Sequence, residues 1–433
     1  MGRMKRLADL KWGSIKSFNK KNAAPESRAR ESGTDNILLS KTLKLGVTRF
    51  RDGSDVTNNV FVFGGNSGDR LKMYVRPNLL QRYMSYVITD KGGIMYNDSA
   101  ELLKNSGYIV KTLNMLDPER SDKYNPFVYI SDYDDCNNLA AAILANDDSD
   151  AFMLNVKKTL LAALIGYIYG FMPAPERTFK KLKDLLNEME IGDANDANTW
   201  KERPTDDLDR RFIEIDNMDP NNAALKNYET FRIMAGGGKA MIKNTVRRII
   251  EELNNGILEY SKGNDSLNLD QLGDSKHVLY IIRPNTGVNA TLPSLVYYQL
   301  LTALFKKAST SALKVPVHCI MNDFNETGKI YDFPRLMISM KKYDVSCSVI
   351  SQNAAVVKNM YLDIWNTMVR NFSIQIFLGG LEPDTLDYVA DAINQTHSKI
   401  AGSLNAFQLS DLADTECVVI FTGNDAFLDT KNI

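Results

Sequence analysis

At 433 residues the chain is long enough for two or three domains. Its hydrophobic share of 44% and charged share of 24% are those of an ordinary globular protein. A net charge of −1 excludes a chain-wide field that would draw in nucleic acid, so any such contact has to come from local basic patches. No run is expected to supply the roughly 18 apolar residues that cross a bilayer, and the start, Met1 to Gly13, lacks the apolar core of a signal peptide.

Residues 1–58 are polar, with one short apolar run, Ile37-Leu38-Leu39, and read as an extended N-terminal arm. Arg3, Lys5, Arg6, Lys11, Lys16, Lys20 and Lys21 make its start basic, either as a solvated tail or as a contact with an anionic membrane surface. A buried-strand signal follows at Val60-Phe61-Val62-Phe63, then further strands at Tyr86–Ile88 and Ile109–Leu113. Helical patterns at 70–83 and 94–106 alternate with them, which predicts a parallel sheet with crossover helices. From about 136 to 260 strand signals vanish and helices are expected at 153–171, 176–189 and 240–254. The α/β signal returns with strands at Val278–Ile282, Val315–Met321, Val345–Ile350, Ile374–Leu378 and Cys417–Phe421. Runs of Val and Ile without polar alternation belong to a sheet covered on both faces. The chain therefore divides into an arm, 1–58, the first part of an α/β domain, 59–135, an inserted all-α domain, 136–262, and the second part of the α/β domain, 263–433.

Cys136, Cys319, Cys347 and Cys417 form no CxxC pair and read as small buried hydrophobes of a reducing compartment. His277, His318 and His397 show no metal-ligand spacing.

The first strand ends in glycines and opens into a helix, the place where backbone N–H groups hold phosphate. A complete phosphate loop reads GxxxxGK[ST]; here the stretch is Gly64-Gly65-Asn66-Ser67-Gly68-Asp69-Arg70-Leu71. Asp69 stands at the second glycine, Arg70 at the lysine and Leu71 at the hydroxyl that binds Mg2+. A carboxylate about 4 Å from a phosphate charge at an effective dielectric of about 20 costs roughly 4 kcal/mol. Arg70 keeps the charge in a longer, planar group, and Leu71 has no oxygen to give a metal. On the motif alone, a glycine-containing turn without nucleotide is the simpler reading. A second glycine run, Ala235-Gly236-Gly237-Gly238-Lys239, also precedes a helix, but it lacks the first glycine and the hydroxyl and reads as a flexible turn.

The flanking residues carry a resemblance. Val60–Gly65 with Tyr74-Val75-Arg76-Pro77-Asn78-Leu79-Leu80-Gln81 is similar to the phosphate-loop region of TraG-like type IV secretion coupling proteins. In the same order come Thr89-Asp90-Lys91-Gly92, Ser121-Asp122-Lys123-Tyr124-Asn125-Pro126-Phe127, Asp332-Phe333-Pro334-Arg335-Leu336, Val349-Ile350-Ser351-Gln352-Asn353 and Phe377-Leu378-Gly379-Gly380-Leu381-Glu382-Pro383-Asp384-Thr385-Leu386. Lys11-Trp12-Gly13 and Asn36–Ser40 resemble the stretch that follows the family's transmembrane helices, which this sequence does not show.

The resemblance implies an α/β, RecA-like P-loop NTPase fold with a mostly parallel sheet and an inserted all-α domain. It further implies ATP and Mg2+ as cofactors, hexameric assembly at the inner face of the cell membrane, and partners in a relaxase–DNA complex and the secretion channel. By the same resemblance Asn322 stands at the Asp that holds Mg2+, Asp323 at the Glu that polarises the attacking water, and Gln352 at a sensor-like glutamine. Adjacent strand residues point to opposite faces, so Asp323 is not expected to stand in for Asn322. Three functions stay open: a DNA-translocating ATPase with variant motifs, a catalytically inactive relative that docks relaxase, DNA or active subunits, and a membrane-surface scaffold that uses the basic arm.

Overall fold

The computed structural model describes residues 7, 10–24, 35–47, 56–189, 200–204, 206–236, 239–254, 257–261, 264–285, 290–396, 404–423 and 425–432. Arg3, Lys5, Arg6, His397 and the Gly237-Gly238 pair lie outside them.

The described part of the arm is folded. A helix, Ile15–Asn22, starts at Ser14, whose side chain accepts the Ser17 N–H. It packs on a hairpin of β1 (Asn36–Leu38) and β2 (Lys44–Gly46). The remaining strands are β3 (Val60–Phe63), β4 (Ser85–Lys91), β5 (Ile109–Asn114), β6 (His277–Arg283), β7 (Val317–Met321), β8 (Val345–Ser351), β9 (Ile374–Phe377), β10 (Glu416–Phe421) and β11 (Phe427–Thr430). These nine form one sheet in the order β11-β10-β9-β3-β8-β7-β4-β6-β5. Every pairing from β9 to β5 is parallel, and β10 and β11 add an antiparallel edge.

The glycine-loop strand, β3, lies between β8 and β9 and is fully buried. Its side chains alternate: Phe61 and Phe63 enter one core and Val60 and Val62 the other. Phe61 stacks on Phe372 with centroids 5.3 Å apart and meets Trp365 edge-on. Burying β3 on both faces is what the unbroken apolar run demanded.

Between β5 and β6 the described elements are helices, among them Ala151–Phe171, Asp207–Met218, Ala223–Ala235 and Lys239–Asn254. Their apolar side chains, such as Leu160, Leu164, Phe212 and Tyr228, join the core that contains Phe61 and Phe63. One of these helices departs from the sequence expectation about apolar length. Ala151–Phe171 has the length and the mean hydropathy, 1.4, of a bilayer span, yet 67% of that stretch is buried against its neighbours. The Lys157 ammonium on it is buried and bonded to Asp147 and Ser149, as a charge in an apolar helix requires. The cysteines are all buried.

Candidate functional site: the glycine loop and the end of β7

β3 stops at Phe63 because Gly64 and Gly65 take φ of 85° and 61°. At Gly64 the requirement is also steric, since a Cβ there would lie 2.3 Å from the Gly379 oxygen. The two glycines turn the chain into the short helix Ser67–Arg70, capped by Asn66, whose side chain accepts the Asp69 N–H at 2.8 Å. The helix widens into a π turn at Leu71–Val75, where the Arg76 N–H reaches the Leu71 oxygen, and resumes at Arg76–Leu79.

Two N–H groups of the glycine turn are engaged within the fold. Gly64 N donates to the Gln352 oxygen at 3.0 Å and Gly65 N to the Gly379 oxygen at 2.8 Å. The predicted residues then separate into two clefts. Gly65, Asn66, Ser67, Arg70, Leu71, Asn322, Asp323 and Gln352 line a cleft of about 470 Å³. Gly64 and Asp69 line a second one, of about 610 Å³, on the other side of the loop; Gly65, Asn66 and Gln352 border both.

Arg70 governs the first cleft. Its side chain is 5% exposed, and its guanidinium donates to the carbonyl oxygens of Gly64 and Gly65 at 3.3 and 2.8 Å and to Asp323 Oδ1 at 3.1 Å. The cation expected at the lysine position thus binds the carboxylate expected at the water-polarising position. Strand alternation does not separate Asn322 from Asp323: β7 ends at Met321, Asp323 takes a left-handed φ of 48°, and both side chains line the same cleft. This corrects the expectation that they face opposite sides. Asn322 is buried; its Oδ1 has no hydrogen-bond partner, nor has the Oγ of Ser351 at the end of β8.

Asp69 lines the second cleft, not the first. It lies 3.6 Å from the Lys431 ammonium, a side chain only 3% exposed. The predicted repulsion between Asp69 and a phosphate is therefore relieved by a cation 362 residues further on, with no local signal to announce it.

Sequence reasoning also missed four charged neighbours of the first cleft. Asp90 accepts the N–H groups of Met95 and Tyr96; burial raises its carboxyl above the usual range against that help. Glu326 joins Lys91, at 3.1 Å, to the fully buried Arg283. Burial raises Glu326, but the hydrogen bonds from Arg283 and Lys91 outweigh it and hold the carboxyl low. Asp90 and Lys91 fall in a motif that carried the resemblance; Arg283 and Glu326 gave no pattern. The other glycine run ends a helix at Gly236, whose φ of 61° makes it a C-cap.

The residues present do not fit a metal-bound triphosphate. Leu71 offers no oxygen, Asn322 offers a neutral amide, and Asp323 is already neutralised by Arg70. Among the described residues no three His, Cys, Asp or Glu side chains group as a metal site. With Arg70 and Lys91 set against Asp90, Asp323 and Glu326, the cleft holds no surplus of positive charge for a polyphosphate.

The glycine loop at the end of a central parallel strand, with the ends of β7 and β8 beside it, defines a RecA-like NTPase fold. Residues 9–412 match the family described as type IV secretory system conjugative DNA transfer, and the chain belongs to it. Among solved structures, the bacterial conjugative coupling protein TrwBdeltaN70 in its unbound form is 14% identical with a TM-score of 0.67, over 100% of this chain and 94% of that one. The plasmid coupling protein TrwB in complex with ADP and Mg2+ is 14% identical with a TM-score of 0.64, over 100% and 95%. VirB4 of Thermoanaerobacter pseudethanolicus is 12% identical with a TM-score of 0.50, over 93% and 96%. At such identities these likenesses bear on the fold alone. No curated protein matches the chain.

Proposed function

We propose that this chain is a coupling-protein relative that recruits a DNA or protein substrate, such as a relaxase–DNA complex, to a secretion channel without hydrolysing nucleotide. The observation that carries the reading is the Arg70–Asp323 ion pair, which consumes the charges that phosphate and water activation would need. Phosphoryl transfer depends almost wholly on positioned charge and metal, so their combined loss is severe. Support for the coupling role comes from membership of the conjugative DNA transfer family. TrwB has been captured with ADP and Mg2+; for this chain we propose that Asn322, Asp323 and Gln352 keep the positions but not the chemistry. We further propose that residues 136–262 act as a unit distinct from 59–135 and 263–433, with 1–58 as the arm, that the site of action is the inner face of the membrane, and that the chain assembles with copies of itself or with active subunits.

The competing reading is an ATP-driven translocating motor in which Asp323 polarises water and Arg70 replaces the lysine. ATPase rates with and without single-stranded DNA, measured beside nucleotide calorimetry, separate the two. No turnover above background is expected. Turnover that Asp323→Ala abolishes would overturn the docking-only reading.

A further inference from the structure

We propose that the second cleft is a docking face for a basic polypeptide segment that carries an apolar side chain. The cleft, about 610 Å³, lies at the ends of β3, β8 and β9 on the far side of the glycine loop from Arg70. The exposed Leu381 lines it, and the exposed Phe407 stands on a short helix that borders it through Leu409. Leu381 is 76% exposed and follows Gly379 and Gly380, whose φ of 89° and 148° turn the loop outward. Phe407 is 67% exposed on the short helix Ala406–Leu409, while Leu409 on the same helix is buried and lines the cleft.

Carboxylates flank both. Glu382 and Asp384 follow Leu381; Asp411 and Asp414 follow Phe407, and Asp384, Asp411 and Asp414 are exposed. Residues 380–433 hold nine Asp and Glu against two Lys and no Arg, in a chain whose net charge is only −1. Lys431, the described cation of this stretch, is turned inward to Asp69 and leaves the rim acidic. Such a rim repels the phosphates of nucleic acid and attracts Lys and Arg, setting encounter rate and specificity. The exposed Leu and Phe supply what charge alone does not, an anchor that loses water only when a partner covers it. A cleft walled by Glu382 and Asp414, with Leu381 exposed on it and Phe407 beside it, therefore complements a cationic segment with an apolar residue, not a nucleic acid. This surface stands whether or not the first cleft turns over nucleotide.

The test titrates the full chain, without nucleotide, into a labelled peptide of Lys, Arg, Leu and Phe and follows anisotropy. An oligolysine of equal charge and a single-stranded oligonucleotide serve as comparison probes. The peptide is expected to bind more tightly than oligolysine and not to be displaced by the oligonucleotide. Leu381→Ser with Phe407→Ser should weaken it about tenfold or more. Asp411→Asn with Asp414→Asn should weaken it and flatten its salt dependence. All four side chains are exposed, so an unchanged thermal midpoint in each variant shows that the fold is intact. Equal affinity in the variants, or displacement by the oligonucleotide, overturns the proposal. Self-association that Leu381→Ser with Phe407→Ser abolishes would give the face to a second copy and overturn the assigned partner.

Discussion

The Arg70 guanidinium and the Asp323 carboxylate lie 3.1 Å apart and join the loop after β3 to the turn after β7. Both side chains are largely buried, so the bond is a dry one and breaking it exposes a lone charge to a poor solvent. Arg70→Ala and Asp323→Ala should each lower unfolding free energy by about 3–5 kcal/mol. The double variant should lose less than the sum, with a coupling of about 1–3 kcal/mol in urea melts. Additive losses would mean that the pair is not a unit.

Restoring the phosphate loop tests how far the site alone departs from a working one. Asp69→Gly, Arg70→Lys, Leu71→Thr, Asn322→Asp and Asp323→Glu together return the glycine, the cation, the hydroxyl and both carboxyl positions. The five-fold variant is expected to gain Mg2+-dependent nucleotide binding by calorimetry. Its absence would place the loss beyond these five side chains.

Gly64→Ala should cost about 2 kcal/mol or more, since a Cβ meets a backbone oxygen at 2.3 Å in a left-handed conformation. Gly236→Ala, at a left-handed C-cap with open space around it, should cost less, about 1 kcal/mol. Chemical denaturation of the two variants side by side gives the comparison.

Two buried groups pull the pH dependence in opposite directions. Burial pushes the Asp206 carboxyl up to about 6, with Asp209, Arg232 and Tyr228 as its charged and titratable surroundings. The folded chain then binds a proton that the unfolded chain does not between about pH 4 and 6, so this group's contribution to stability falls as pH rises through that window. Burial lowers the His318 imidazole to about 4, between Ser346 and Ser348. There the unfolded chain binds the extra proton, so stability falls as pH drops from 6.5 toward 4. Asp206→Asn keeps the cap on Asp209 N and removes the first effect. It should stabilise the fold near pH 7.5 by about 1 kcal/mol and make it more sensitive to acid, read as urea midpoints across pH.

The sheet was legible in the sequence because its strands are apolar runs buried on both faces, and periodicity reports burial. β1, β2 and β11 were not. They are three or four residues long, and the turn of the β1–β2 hairpin is tied to β11 by Asp429, which accepts hydrogen bonds from Ser40 and Thr42 nearly 390 residues earlier. The substitutions at Asp69, Arg70, Leu71 and Asn322 were also legible as departures. What they do was not, because the direction of Arg70 depends on Asp323, and that of Asp69 on Lys431. The left-handed turn at Asp323 likewise overrode an alternation rule that holds only while the strand lasts.

The two ends of the described chain share one mechanical element. Gly13 N donates to the Ala426 oxygen, Lys41 N to the Thr430 oxygen, and Phe18 packs edge-on against Phe421 and Phe427. One residue past β11, Lys431 reaches Asp69. The carboxyl-terminal strand is therefore tied both to the N-terminal hairpin and, through Lys431 and through the β11-β10-β9 pairings that lead to Gly379, to the glycine loop.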